Sequence, residues 1–321
     1  MRMIKTAILD DYQNVALKLA DWSPVAKDVD ITVFDKPFAG PDEAIKALQG
    51  FPIIVGMRER TPFPRKVIEA LPDLKLLITT GARNNSFDVK TANERGITVC
   101  GTGGFGNPTA SIAIGLMLEL TRHIGFENAR MKSGAPWQIT MGQDVEGMTL
   151  GTLGLGKLGQ RVATIAKALG MKVIAWSPNL TPDKAKEAGV DYVAKDDLFR
   201  NADILTIHVV LGDRSRGLVG ARELGLMKKT AYLVNTSRGP IVDEKALIAA
   251  LTAKSIAGAG LDVFDVEPLP LDHPFRKMDN IVLTPHLGYV SERNYRVLYS
   301  GVVEDIRAWL DGKPVKVIEV K

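Results

Sequence analysis

Six residues in the middle of the chain, Gly154-Leu155-Gly156-Lys157-Leu158-Gly159, form the GxGxxG pattern of a phosphate-binding turn. The pattern alone is weak because the chain contains 30 glycines, but this one follows the apolar run Thr149–Leu153 and opens an amphipathic helical pattern. Gly154 permits a tight turn, Gly156 lets a pyrophosphate approach the backbone, and Gly159 lets the helix pack closely on the strand. Free N–H groups at the start of the helix would hold the phosphates. The spacing predicts a dinucleotide site at Gly154, Gly156, Lys157, Leu158 and Gly159; a turn without a ligand is the alternative.

The residues after the next predicted strand decide which dinucleotide fits. An acidic residue at the end of the strand Lys172–Trp176 would bind the adenosine ribose of NAD, whereas an arginine there would pair with the 2′-phosphate of NADP. Ser177 holds that position and Asn179 follows it, and neither an acid nor an arginine lies beside them. We expect Ser177 and Asn179 to contact the nucleotide, and the choice between NAD and NADP stays open.

Four histidines are available for proton transfer: His123, His208, His273 and His286. His286 follows Thr284-Pro285 at the end of a predicted strand, where open α/β sheets bind ligands, so it is the best candidate for exchanging a proton with a substrate. His208 also ends a predicted strand. His123 falls within a long helical pattern and His273 within a proline-rich loop, which favours structural or solvated roles for both.

These residues require strands and helices that alternate along the chain, and the hydrophobic pattern predicts such an α/β fold with parallel sheets. Five apolar runs predict a first sheet: Lys5–Leu9, Ile31–Phe34, Ile53–Val55, Leu74–Ile78 and Ile97–Val99. Six more predict a second, Rossmann-type sheet: Thr149–Leu153, Lys172–Trp176, Asp203–Ile207, Ala231–Asn235, Ile256–Asp262 and Ile281–Thr284. Long helices are predicted from about Thr109 to Arg130 and over Ser291–Leu310.

Composition excludes several classes of protein. The chain has 321 residues, is 45% hydrophobic and has a mean hydropathy of +0.03, which is typical of a globular protein long enough for two domains. No apolar run reaches the roughly 20 residues of a membrane span, and no apolar leader precedes the first strand, so we expect a cytoplasmic protein without membrane contact. A net charge of +4 without a basic stripe disfavours nucleic acid and suits a small anionic ligand. A single cysteine, Cys100, supplies neither an intrachain disulfide nor a metal site by itself, and no metal is expected.

Three further segments extend the pattern beyond the glycine turn: Asn235-Thr236-Ser237-Arg238-Gly239, Gly260-Leu261-Asp262-Val263-Phe264-Asp265-Val266-Glu267-Pro268 and Thr284-Pro285-His286-Leu287-Gly288. In this order and at this spacing they resemble the D-isomer-specific 2-hydroxyacid dehydrogenases over essentially the full chain. The resemblance implies two doubly wound parallel-sheet domains: a Rossmann-type cofactor domain over 102–288, inserted into a flavodoxin-like substrate domain over 1–101 and 289–321. It also implies a homodimer, to which the apolar helix Ile112–Leu120 would contribute unless it is a buried core helix.

Carried over residue by residue, the resemblance makes Arg238, Glu267 and His286 the catalytic set. The guanidinium of an arginine matches a carboxylate, and histidine can exchange a proton with a hydroxyl while hydride moves to or from a nicotinamide. A glutamate beside the histidine would favour the imidazolium and fix the ring. The resemblance further places these residues at the cofactor: His208, Thr236, Ser237, Asp262 and Gly288.

The predicted substrate loop departs from the family pattern. Where the family usually has Gly-Val-Gly, with N–H groups that cradle the substrate carboxylate, this chain reads Thr80-Gly81-Ala82-Arg83-Asn84-Asn85. Ala82 and Arg83 are therefore candidate substrate contacts, as is Arg58 in Gly56-Met57-Arg58-Glu59-Arg60. Both arginines could reach a second anionic or polar group on the substrate; a solvated loop arginine is the alternative.

The sequence thus predicts a nicotinamide-dependent oxidoreductase that interconverts a small D-2-hydroxy acid and its 2-oxo acid, in a cleft between two lobes. An NAD(H)-sensing binding protein of the corepressor type is one alternative, because a fold does not fix a function. A formate or phosphite oxidiser of the same superfamily is another. Turnover of 2-oxo acids would distinguish the dehydrogenase from both alternatives.

Overall fold

The computed structural model describes residues 3–319 and divides the chain into two units. One unit contains the chain up to Gly106 and again from Ser291 onward, and the other is Asn107–Val290. The second unit is therefore inserted into the first. The sequence-based boundaries, after residues 101 and 288, lie a few residues before these.

The strands are β1 (Ile4–Ile8), β2 (Val29–Val33), β3 (Ile53–Gly56), β4 (Leu76–Thr79), β5 (Thr98–Gly101), β6 (Thr149–Leu153), β7 (Lys172–Trp176), β8 (Asp191–Tyr192), β9 (Ile204–Ile207), β10 (Tyr232–Asn235), β11 (Gly258–Leu261) and β12 (Ile281–Leu283). The α-helices are α1 (Pro41–Ala47), α2 (Arg65–Glu69), α3 (Val89–Glu94), α4 (Thr109–Arg122), α5 (Ile124–Lys132), α6 (Lys157–Ala168), α7 (Pro182–Glu187), α8 (Lys195–Asn201), α9 (Ala221–Leu226), α10 (Glu244–Thr252) and α11 (Glu292–Leu310). Short 3-10 turns lie at Gly239–Ile241 and Pro274–Lys277.

The first unit is built on a parallel sheet in the order β2-β1-β3-β4-β5, the flavodoxin-like order. Strands β3 and β4 are buried throughout because helices cover both faces of such a sheet. Helix α11 belongs to this unit and buries Tyr299, Val302 and Ile306. After it the chain pairs antiparallel with β5 through Val317 and Cys100.

The second unit contains a parallel sheet in the order β12-β11-β10-β9-β6-β7-β8. The chain reverses direction across the sheet between β6 and β9, which is the Rossmann arrangement and creates a crevice at the carboxyl ends of those strands. Apolar clusters form on this unit's sheet, one including Phe199 and Leu233 and another including Leu116 and Val162. Among the described residues, no helix is long and apolar enough to cross a membrane.

Two sequence predictions were wrong in detail. The helix predicted from Thr109 to about Arg130 is two helices, α4 and α5, because His123 between them adopts a left-handed conformation with φ 54°. The second sheet contains a seventh strand, β8, whose two residues are exposed and so give no apolar run. Helix α4 is a core helix: Ala113, Leu116 and Met117 are almost fully buried.

Candidate active site

The glycine turn between β6 and α6 is tight, and its tightness depends on two of its glycines. Gly154 has φ +103°, and a Cβ there would lie 2.8 Å from the backbone carbonyl of His208. A Cβ on Gly159 would lie 2.1 Å from the carbonyl oxygen of Gly154. By contrast, no atom lies within 4 Å of the Cβ position of Gly156, which leaves open space at the start of α6. Gly156 and Lys157 are exposed, so a phosphate can reach the N–H groups at this helix end.

Buried polar atoms without partners lie near the same strand ends. His208 Nδ1 and Thr236 Oγ1 are both buried and have no hydrogen-bond partner among residues 3–319. His208 Nε2 shares a 2.9 Å hydrogen bond with Thr206 Oγ1, and burial lowers the pKa of His208 to about 3, so the ring is neutral. Buried polar groups are normally satisfied, so these two atoms fit a site that a polar group of a bound cofactor completes. A neutral ring also adds no positive charge beside a nicotinamide.

Asp262 holds the segment that carries His286. Its carboxylate, which is fully buried after β11, accepts hydrogen bonds from Thr284 Oγ1 at 2.6 Å and from the N–H groups of Leu287 and Gly288, both at 2.7 Å. Burial raises the pKa of Asp262, although these donors and the nearby His286 oppose the shift. With both oxygens engaged inside the protein, Asp262 positions the loop, a role that the sequence reading did not assign to it.

Helix α4 holds the other end of this segment. Thr109 Oγ1 donates to the carbonyl oxygen of Gly288 at 2.9 Å, and a Cβ on Gly288 would lie 2.9 Å from Thr109 Cγ2. The backbone of His286 is left-handed, with φ 53°, a conformation that L-residues adopt only where neighbours hold them. The anchored segment therefore determines where the His286 ring points.

His286 and Glu267 form a hydrogen-bonded pair. His286 Nδ1 lies 2.6 Å from Glu267 Oε2, while Glu267 Oε1 accepts the Phe264 N–H at 3.0 Å. Burial alone would raise the pKa of Glu267, but the hydrogen bond and charge of His286, with smaller contributions from the Phe264 N–H and the Arg238 charge, bring its pKa below the ordinary value. Since Glu267 occupies Nδ1, the other ring nitrogen of His286 is the one free of this pair. Tyr289, which the sequence reading missed, packs edge-on against the ring at 5.4 Å between centroids.

Arg238 lies in the turn after β10, and its neighbours fix this turn. Asn235 Nδ2 donates to the Arg238 carbonyl at 2.9 Å, and Ser237 Oγ donates to the Ile207 carbonyl at 2.8 Å. A Cβ on Gly239 would lie 2.1 Å from the carbonyl carbon of Phe264, so only glycine lets this turn reach the segment that holds Glu267. The Arg238 guanidinium donates to the Ser237 carbonyl at 2.7 Å and adds positive charge at Glu267. Arg238, Glu267 and His286 thus belong to one unit, at the carboxyl ends of its strands.

Ser177 and Asn179 lie where the sequence analysis expected them, directly after β7. Ser177 is half-buried and its carbonyl accepts the Leu180 N–H at 3.1 Å, while Asn179 is exposed. The Gly154 N–H donates to the Trp176 carbonyl at 2.9 Å, which ties this strand end to the glycine turn.

The three substrate-loop candidates lie in the first unit, on neighbouring strand ends. Arg58 follows β3 and has φ 54°, and its Nη1 lies 3.4 Å from the Thr80 carbonyl, over Gly81. Ala82 and Arg83 follow β4, and both are exposed. Because β3 and β4 pair directly, the structure brings Arg58 against the loop that carries Arg83.

The remaining two histidines belong to other elements. His123 joins α4 to α5, and His273 Nε2 lies 3.2 Å from Glu244 Oε1 at the start of a 3-10 turn. Within residues 3–319, no group of three or more His, Cys, Asp or Glu side chains could hold a metal ion.

Comparison with known proteins places this chain in a large set of relatives. The profile of "D-isomer specific 2-hydroxyacid dehydrogenase, NAD binding domain" matches residues 114–288. A glyoxylate reductase from Korarchaeum cryptofilum is 37% identical over 259 residues, which is 78% of each chain. A D-3-phosphoglycerate dehydrogenase from Synechocystis is 38% identical over 81% of this chain, which spans only 47% of that relative. The crystal structure of a phosphoglycerate oxidoreductase from Vibrio cholerae superposes with a TM-score of 0.92 at 34% identity, covering 97% of this chain and 100% of that one.

Proposed function

Because this chain belongs to the D-isomer-specific 2-hydroxyacid dehydrogenase family, a family of nicotinamide-dependent oxidoreductases, we propose that it interconverts a small D-2-hydroxy acid and its 2-oxo acid. The observation that carries the proposal is the 2.6 Å His286–Glu267 pair, set on a segment that Asp262 anchors at the carboxyl end of the sheet. A general acid needs a ring held in one orientation, and the hydrogen bond to the Glu267 carboxylate holds the His286 ring.

The proposed chemistry follows from the partners of each side chain. A bound nicotinamide supplies the hydride. His286, with Nδ1 on Glu267, donates a proton from Nε2 to the carbonyl oxygen as the 2-oxo acid is reduced, and accepts it back in the reverse direction. Arg238 binds the substrate carboxylate and polarises the carbonyl beside it. Glu267 orients the His286 ring through its hydrogen bond to Nδ1. Asp262 positions His286 by holding the segment 284–288.

The remaining assignments form part of the same proposal. The glycine turn would bind the pyrophosphate, and His208 and Thr236, with their unpartnered buried atoms, would line the nicotinamide together with Ser237 and Gly288. Arg58, Ala82 and Arg83 would contact the substrate. Ser177 and Asn179 are uncharged, so this part of the site favours neither NAD nor NADP electrostatically. The dissociation constants of NADH and NADPH, measured by tryptophan fluorescence, decide between the two cofactors.

The test is a matrix of 2-oxo acids against NADH and NADPH, compared as kcat/KM. We expect turnover with at least one of glyoxylate, hydroxypyruvate, pyruvate and longer 2-oxo acids. His286→Ala should lower kcat by about 100-fold or more, as loss of a general acid does, and leave the cofactor dissociation constant unchanged. His273→Ala, which removes a histidine from a different His–Glu pair, is the matched control. Cofactor binding without turnover would favour an NAD(H) sensor, and oxidation of formate or phosphite alone would favour the other alternative.

We also propose that the partner is a second copy of this chain, docked on an apolar surface formed by α5 and the loop after it. Helix α5 buries no residue, and Trp137, Ile139 and Met141 in the loop are 66%, 64% and 92% exposed. Glu127 holds the loop on α5 by accepting the N–H groups of Ile139 and Thr140 at 2.9 and 2.7 Å. Trp137→Ser should weaken dimers in sedimentation analysis, whereas Leu271→Ser, at a site 89% exposed elsewhere, should not.

A further inference from the structure

Three arginines lie at the carboxyl edge of the first unit's sheet, whereas a single arginine is enough to pair with one substrate carboxylate. Arg58 and Arg60 follow β3, and Arg83 follows β4. The Arg60 guanidinium lies over the Tyr12 ring at 4.6 Å, and Arg58 Nε lies 3.9 Å from Glu59 Oε2. Arg83 differs from both, because it is exposed and makes no hydrogen bond or ion pair with any residue that the structure describes.

The backbone that carries Arg83 is anchored on both sides. Before it, the Gly81 N–H donates to Thr102 Oγ1 at 2.8 Å. After it, the buried amide of Asn84 donates to the Arg58 carbonyl and to Thr79 Oγ1, and accepts the N–H and hydroxyl of Ser86 at 2.9 and 2.7 Å. Ala82 and Arg83 therefore form a short bridge between fixed points.

Acidic groups at this edge are already engaged elsewhere. Asp10 is buried, accepts hydrogen bonds from Thr61 Oγ1 at 2.8 Å and Tyr12 at 3.1 Å, and has its pKa raised by that burial. Glu59 lies beside Arg58. The charge of Arg83 is therefore not neutralised within this edge, and a ligand that brings a negative group would gain a charge-assisted hydrogen bond there.

We infer that Arg83 selects substrates with a second acidic group, so that the preferred 2-oxo acids bear a distal carboxylate or phosphate. This inference rests on the proposed function, since the loop must hold the substrate. Arg83 would pair with the distal group, which takes no part in the proposed reaction. Arginine suits this role because its planar fork binds either a carboxylate or a phosphate through two parallel hydrogen bonds.

The test compares matched substrates that differ in one acidic group. Oxaloacetate is paired with 2-oxobutyrate and 2-oxoglutarate with 2-oxopentanoate for the carboxylate arm, and hydroxypyruvate O-phosphate with hydroxypyruvate for the phosphate arm. We expect kcat/KM to be at least tenfold higher for the substrate with the second acidic group in one arm. Arg83→Gln should lower kcat/KM, through KM, at least tenfold more for that substrate than for its partner without the group, and Arg83→Lys should restore part of the preference.

Arg65→Gln, which removes an exposed arginine from α2 in the same unit, is the matched control. It should leave kcat/KM unchanged for both members of each substrate pair. Succinate and butyrate, which have no 2-oxo group to reduce, give the same contrast as inhibition constants. Equal kcat/KM for substrates with and without the second acidic group, or equal effects of Arg83→Gln on both, would overturn the inference and leave Arg83 a solvated loop residue. If no 2-oxo acid of either charge is reduced, the proposed function itself fails.

Discussion

Replacing Glu267 by glutamine tests whether Glu267 supports the proposed proton transfer by His286. The carboxylate of Glu267 serves two donors at once, since Oε2 pairs with His286 Nδ1 and Oε1 accepts the Phe264 N–H. A glutamine has one oxygen and one NH2 group in the same space. One of the two donors must then face the NH2 group, and the negative charge beside the imidazolium disappears.

The expected loss follows from the kind of hydrogen bond that is removed. A hydrogen bond to a charged group contributes about 1.5–3 kcal/mol, which corresponds to roughly a 10- to 150-fold fall in kcat/KM. The cofactor dissociation constant should not change, because Glu267 acts through His286.

The assay is kcat/KM for reduction of the best 2-oxo acid in the wild type, Glu267→Gln and Glu244→Gln. Glu244 pairs with His273 at 3.2 Å in the same unit, so its variant removes a second His–Glu contact that does not include His286. The Glu244→Gln variant should behave like the wild type. A fall of less than threefold in Glu267→Gln, or an equal fall in both variants, would refute the role of the His286–Glu267 pair.

Two further predictions concern the nucleotide turn and a buried acid. Gly159→Ala should weaken NADH binding at least tenfold in a fluorescence titration, because its Cβ would lie 2.1 Å from the Gly154 carbonyl oxygen. Gly225→Ala is the control, since no described atom lies within 4 Å of its Cβ position. Equal NADH affinities of the two variants would contradict the packing argument. Asp305 is fully buried beside Lys316, and burial raises its pKa from 3.8 to about 7. The folded state then binds this proton more tightly than the unfolded state, so the contribution of Asp305 to stability is lost as pH rises from about 4 to 7. The urea midpoint of the wild type should therefore fall relative to that of Asp305→Asn over this window, and parallel curves would show that Asp305 does not titrate there.

Local pattern in the sequence was enough for the fold class and for the strand ends at which most candidate site residues lie. The glycine turn, its strand and its helix lie within about 20 consecutive residues, and parallel strands buried on both faces appear as apolar runs. Arg238, Glu267 and His286 were recognised through segments that resemble one family, each near a predicted strand end. The sequence analysis missed the break between α4 and α5 because the apolar periodicity continues through His123. The left-handed backbone of this one residue leaves no trace in that periodicity.

Tertiary structure alone decided how these residues are held. Asp262 and Leu287 are far apart in the sequence, as are Gly239 and Phe264, and no local pattern reports which donor faces which acceptor or where a Cβ would collide. The unpartnered atoms of His208 and Thr236 became visible only once their neighbours were in place. The sequence by itself determined which chemical groups the site contains, because residue type and strand ends are local properties. Only the three-dimensional packing determined which group positions another, since hydrogen bonds and close contacts depend on distance in space.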